Sequence, residues 1–468
     1  MNEKITVSAE ETVELKRQLG LTSAILIIIA DVIGTGIFVT TGSVLGMTQS
    51  APIVLVLWTL GGIIAITGSL CYAELATMWP DDGGEYLYLK KIYGFLPAFL
   101  TGWISIAVGF TASIAAASLT LVWYLKEFFT AFPQTELTQK LIASSFILFF
   151  GFIHILGVKK GSFVQNFFTV LKLLIVFSLI VFGFIYIDWS MTSRITSSLS
   201  VSGSIGSAGN AGGIGIGTYG IALLIIMFAY SGWNGTAYIA GEIKNPQKNL
   251  PRAMFFGSLS IAVIYVLLNV VFLMSSPAEQ LTASRATAAI AASNLFGAQV
   301  GSFLALGVAI ILISAVSVQM MIGPRVYYAM AKDGLLFSKL SRINPRFGTP
   351  DLAIALQILI AIVYVFIGKN NIESLFAYVG FSLGIFPLMA VIGMMVMRFK
   401  KPDIPRPFKS PLFPLVPIIY IVFTIGMMAA SLILWTKTSL FAIGVLCLGI
   451  VIYFVWRAAS NLKNTGEQ

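Results

Sequence analysis

An all-α integral membrane protein of twelve transmembrane helices, with the first and sixth discontinuous, is the fold class that three observations predict. The 468 residues are 57% hydrophobic and only 10% charged, with a mean hydropathy of +0.92, whereas a soluble domain carries roughly a quarter charged residues. Apolar runs of about 20 residues, enough to cross ~30 Å of hydrocarbon, recur along the chain. Glycine breaks fall in the two runs that open corresponding groups of five. A soluble multi-domain enzyme is thereby excluded, and the runs are too long and continuous for strands of a membrane barrel.

Residues 1–20 read as a cytoplasmic N-terminal segment. Glu3, Glu10, Glu11 and Glu14 lie among its lysines, and it lacks the basic start, short apolar core and small-residue cleavage site of a signal peptide, so the first helix is expected to be retained. Spans are expected near 21–45, 53–79, 92–124, 141–158, 163–187, 214–240, 253–274, 300–330, 352–368, 372–397, 412–434 and 440–455. They group as a first five-helix repeat over 21–187, an external loop over 188–213 and a second five-helix repeat over 214–398. A cytoplasmic loop at 399–411, two additional helices over 412–457 and a cytoplasmic tail at 458–468 complete the chain. In the external loop 190–213 is rich in Ser and Gly, and the alanine-rich 286–296 suits a short surface helix over an outer vestibule.

Short cytoplasmic loops retain Lys and Arg. Placing both termini inside puts 22 of the 29 basic residues on the cytoplasmic side of a cell inner membrane, with Lys126, Lys140, Arg194, Arg285, Lys369 and Lys437 outside. The net charge of +10 is scattered between apolar runs, unlike a nucleic-acid face, so no nucleic-acid partner is expected. Cys71 and Cys447 fall inside spans and read as packing residues; no metal-ligand spacing occurs and no cofactor is implied.

The third and eighth spans, at 33 and 31 residues, are the longest, and each is third in its group of five. The first and sixth carry Gly34-Thr35-Gly36 and Ser231-Gly232 with Asn234-Gly235. Matching interruptions entered from opposite sides mark a five-plus-five inverted repeat, although glycine also serves close helix packing. A broken helix exposes unpaired backbone groups and opposed half-dipoles, a fitting receptor for a zwitterion. Amides at Thr35 and Gly36 would face a carboxylate, and free carbonyls at Val32, Phe228, Ala229 and Ser231 would face an ammonium. The substrate-binding set is thus Val32, Ile33, Gly34, Thr35, Gly36, Phe228, Ala229 and Ser231.

The stretches Asp31-Val-Ile-Gly-Thr-Gly-Ile-Phe-Val, Tyr72-Ala-Glu-Leu, Gly83-Gly-Glu-Tyr, Phe228-Ala-Tyr-Ser-Gly-Trp-Asn, Gly241-Glu-Ile-Lys-Asn-Pro-Gln-Lys-Asn-Leu-Pro-Arg and Arg325-Val-Tyr-Tyr-Ala-Met-Ala-Lys-Asp-Gly occur in order. Together they resemble the amino acid–polyamine–organocation superfamily, in its L-amino acid transporter-like branch, over about residues 15 to 455. The resemblance implies the inverted-repeat fold, a free amino acid as substrate between the first and sixth spans, and Phe228 as an aromatic gate. Animal members of the branch resemble partners of a heavy chain linked through a cysteine in the loop after the third span. Here 127–140 has no cysteine, so no disulfide-linked heavy chain is expected. Asp31 departs from the neutral residue typical of the branch.

Four residues form a coupling set: Lys172, Asp31, Ser314 and Ser317. Burial works against a charged lysine, which makes Lys172 a candidate to exchange protons during transport. In sodium-independent relatives a lysine at this place resembles a stand-in for sodium, with Ser314 and Ser317 as neighbours; snorkelling to the headgroups, or a structural salt bridge to Asp31, are the other readings. Glu74 and Glu242 suit surface ion pairs with Arg252 or Arg325, and His154 an interfacial position. One histidine, two distant cysteines and no paired intramembrane carboxylates disfavour a membrane enzyme, and short termini disfavour a sensor. The expected function is sodium-independent transport of neutral L-amino acids by alternating access, with exchange ahead of proton symport; cationic amino acids or polyamines are the alternative cargo.

Overall fold

A computed structural model of the protein describes residues 15–129, 135–192, 215–283, 287–367 and 372–465, and their regular structure is helical apart from two isolated bridges. In chain order the helices are α1 (Leu21–Val32), α2 (Thr35–Thr48), α3 (Ala51–Met78), α4 (Glu85–Tyr93), α5 (Phe95–Ile104), α6 (Thr111–Phe128), α7 (Glu136–Ile155) and α8 (Val158–Tyr186). They continue as α9 (Ile216–Ala229), α10 (Pro246–Ser275), α11 (Ala278–Ala283), α12 (Thr287–Phe296), α13 (Ala298–Lys332), α14 (Asp351–Ile367), α15 (Ile372–Lys400), α16 (Leu415–Leu434) and α17 (Thr436–Thr465). Among the described residues, eight helical stretches are long and apolar enough to cross a membrane, or nine when α1 and α2, bent by 43°, count as one span.

The sidedness of α8 shows why the chain needs lipid around it. Its outward stripe of Phe163, Phe167, Leu174 and Phe177 is exposed, whereas Gln165, Thr169 and Lys172 are buried. That is the reverse of a helix in water, where the apolar face turns inward.

Several elements differ from their sequence limits for local reasons. Gly94, at φ +95°, separates α4 from α5, so the third span begins at Phe95 rather than 92. Within that span Ser105–Gly109 forms a π turn, closed by the Phe110 amide on the Ser105 carbonyl at 3.1 Å. The sixth span changes most: α9 ends at Ala229 and gives way to irregular chain with short 3₁₀ turns at Gly235–Tyr238 and Ala240–Glu242. Pro246, at the first helical position where its missing N–H costs nothing, then starts α10. A short helix, α12, does fall within the alanine-rich segment, but its Ala288, Ala291 and Ala292 face is buried. Most of the 190–213 loop, Arg285 and Lys369 lie outside the described residues.

Candidate functional site

The first break is set by Ile33 and Gly34. Ile33 is extended and Gly34 takes φ −130°, ψ −146°, so α2 restarts at Thr35 with no side chain capping it. The second break turns on Gly232 at φ +100°, and a Cβ there would come within 2.7 Å of Asp31 Oδ2. Only glycine allows both the left-handed conformation and that approach. The two interrupted helices thus meet through the Asp31 carboxyl.

A cavity of about 60 Å³ lies between them, lined by Asp31, Val32, Gly34, Thr35, Gly36, Phe228, Ala229 and Ser231, with Ser113, Ala116, Ala117, Ala315 and Gln319 from α6 and α13. A second cavity, of about 120 Å³, shares Asp31, Ser113, Phe228, Ser231 and Gln319. It extends past Trp233, Asn234 and Glu85 to Tyr420 and Met428. Phe228 lines both. Ile33, included in the sequence-based set, lines neither.

Three expectations about this region need correction. Three of the four carbonyls expected to be free, those of Val32, Ala229 and Phe228, are engaged: the Tyr265 hydroxyl donates to Val32 at 2.8 Å and lies 3.1 Å from the Ala229 carbonyl. Ser231 donates to the Phe228 carbonyl through its hydroxyl at 2.7 Å and its amide at 3.1 Å. Secondly, a Cβ on Gly36 would meet Ala229 Cα at 2.6 Å, so that glycine permits helix contact, and a larger residue there would strike α9 before any ligand. Thirdly, Lys172 does not snorkel. Fully buried, it donates to the carbonyls of Ala30 at 2.9 Å and Ile33 at 2.5 Å, the groups that the break orphans. Ser314 and Ser317, expected as its neighbours, pair elsewhere: Ser314 with Thr169 at 3.1 Å and Ser317 with His154 Nε2 at 2.9 Å.

The bland readings of other polar residues also change. His154, in the last turn of α7, is buried against α13 through its contact with Ser317. Glu242 and Arg325 form a buried pair at 2.7 Å rather than a surface one. Buried Glu74 pairs with Arg398 and accepts from the Ser410 amide at 2.8 Å, and Arg252 is not its partner.

Glu85 was part of a motif but not of the expected site. Its Oε1 accepts from Tyr72 at 2.9 Å and Asn234 at 2.5 Å, tying α4 to the unwound sixth span at the edge of the larger cavity. Burial raises this carboxyl to about 7, against hydrogen bonds from Tyr72, Tyr238 and Asn234 that lower it. Gln319 and Tyr265 were likewise missed, and the only sequence signal for either is a polar side chain in mid-span.

The amino acid permease family model matches residues 19–457. The chain belongs to the amino acid permease family. More finely, it falls in the L-amino acid transporter branch of the amino acid–polyamine–organocation superfamily. The permease is 33% identical over 461 residues to the b(0,+)-type amino acid transporter 1 of Mus musculus, covering 97% of this chain and 91% of that protein. It is 32% identical over 443 residues to the serine/threonine exchanger SteT of Bacillus subtilis (strain 168), covering 94% and 97%. With the large neutral amino acids transporter small subunit 2 of Mus musculus it shares 33% identity over 452 residues, covering 95% and 81%. The permease is therefore a multi-pass membrane transporter of the amino acid class.

Proposed function

We propose that the permease exchanges neutral L-amino acids across a cell inner membrane, without sodium, by alternating access. The observation that carries this reading is the cavity between the interrupted helices, because the uncapped start of α2 offers the amides of Thr35 and Gly36 to a carboxylate. Twelve spans in a five-plus-five inverted repeat, both termini cytoplasmic, would let the first and sixth rock against the third, fourth, eighth and ninth. Lys172 would supply the positive charge that sodium supplies elsewhere, since it already holds the orphaned carbonyls of the first break. No disulfide-linked partner is proposed, because loop 127–140 has no cysteine, Cys71 is buried and Cys447 lies within α17 rather than in a loop.

A second reading, transport of cationic amino acids, draws on one observation: among the described residues, Asp31 and Glu85 are the only charged ones lining the larger cavity. Proteoliposomes loaded with unlabelled amino acid and given a panel of labelled ones in sodium-free buffer test both. Faster uptake into loaded than empty vesicles, strongest for neutral amino acids, is expected. Uptake only with sodium, or equal uptake into empty vesicles under a pH gradient, would overturn sodium-independent exchange.

A further inference from the structure

An amino acid has two charged groups, and the expected provisions for them differ. The carboxylate has the start of α2, but three of the four carbonyls that would receive the ammonium, those of Val32, Ala229 and Phe228, already accept from Tyr265 or Ser231, which reduces the acceptor capacity they can offer. An ammonium leaving water needs acceptors that replace its hydration, and an anionic acceptor makes roughly twice the bond of a neutral one.

Among the described residues, Asp31 is the only charged one lining the small cavity. It sits near the end of α1, just before the break, and shares the cavity with Thr35 and Gly36, whose amides open α2 without a capping side chain. Lys172 does not occupy it, since its ammonium donates to the carbonyls of Ala30 and Ile33. From the opposite wall, on α13, Gln319 lines the same cavity, and its Oε1 is buried with no hydrogen-bond partner among the described residues. A buried acceptor left without a donor is unfavourable, and an ammonium would relieve it.

We propose that Asp31 and Gln319 together receive the substrate's ammonium group, which makes Asp31 a specificity-determining residue for amino acids over 2-hydroxy acids. This assignment rests on the transport reading above. It implies that a 2-hydroxy acid of the same shape, which satisfies the amides of α2 but brings no cation, is rejected because Asp31, whose neighbours are Gln319 and Lys172, and the buried Gln319 Oε1 are left without the cation that would join them.

The test measures uptake of labelled L-alanine and L-leucine into proteoliposomes, with L-lactate and 2-hydroxy-4-methylpentanoate as competitors, for the wild type, Asp31→Asn and Gln319→Leu. In the wild type the hydroxy acids should not compete. In folded Asp31→Asn the apparent affinity for the amino acids should fall about ten- to a hundredfold, the loss of one charge-assisted bond, while the hydroxy acids gain as competitors. Gln319→Leu should shift the same ratio less. Unchanged discrimination in Asp31→Asn would overturn the assignment, because a purely coupling role would alter turnover without altering that ratio. Should Asp31→Asn not fold, a hydrophobic carbodiimide applied to the wild type and located by peptide mass spectrometry decides. Protection of Asp31 by L-alanine but not by L-lactate supports the assignment, and equal or absent protection overturns it. A wild type that takes up no amino acid would sink the transport reading instead.

Discussion

Gly34 and Gly36 are two residues apart and look equivalent in sequence, yet the space beside each differs. A Cβ on Gly34 finds nothing nearer than Ala315 Cβ at 3.9 Å, whereas on Gly36 it meets Ala229 backbone at 2.6 Å. Gly36→Ala should therefore force α2 and α9 apart and cost about 1–3 kcal/mol, visible as a lower melting temperature in nanodiscs. Gly34→Ala should melt close to wild type but take up amino acid more slowly, since its methyl projects toward the small cavity. Equal melting of the two variants would contradict the packing described.

Glu85 gives a pH dependence at the same scale. Its folded value of about 7 lies above its ordinary value of 4.5, so the folded protein holds a proton there that the unfolded chain has released. Stability from this group is therefore fully present below about 4.5 and is lost as pH rises through 7. Glu85→Gln, which keeps an acceptor for Tyr72 and Asn234, should melt with a flatter pH profile between 5 and 8, and a profile parallel to the wild type would refute the assignment.

At the scale of elements, the break between α1 and α2 is held by side chains from two other helices. Lys172 on α8 satisfies the Ala30 and Ile33 carbonyls, and Tyr265 on α10 satisfies Val32 while touching Ala229 on α9. Lys172→Ala leaves two buried carbonyls without their donor, at about 1–3 kcal/mol each. It should both lower the melting temperature and abolish most sodium-free uptake. Lys160→Ala, at an exposed position on the same helix, should do neither. Uptake by Lys172→Ala at wild-type rate would remove the lysine from the mechanism.

For the whole molecule, orientation is the property on which the inverted repeat depends. Single cysteines at Lys126 or Lys437, in a background lacking Cys71 and Cys447, should react with an impermeant thiol reagent added outside intact cells. Those at Lys339 or Lys400 should react only after permeabilisation. The reverse pattern would overturn both the topology and the repeat.

Periodic apolar length, charge asymmetry and glycine position are properties of the chain read locally, and they sufficed for the class, for helices near the expected spans, for the paired breaks, and for picking out Gly34, Thr35, Phe228 and Ser231, which line the small cavity. They sufficed because a membrane imposes length and backbone satisfaction on each span separately. Which partner each polar group takes depends on residues far apart in sequence. Tyr265 closes the Val32 carbonyl 233 positions away, Lys172 reaches back 139 to Ile33, and Gln319 faces Asp31 from α13. Nothing in the local pattern around Val32 or Ala229 says whether its carbonyl is open to a ligand or already taken, because that is settled only when helices from distant parts of the chain pack against one another.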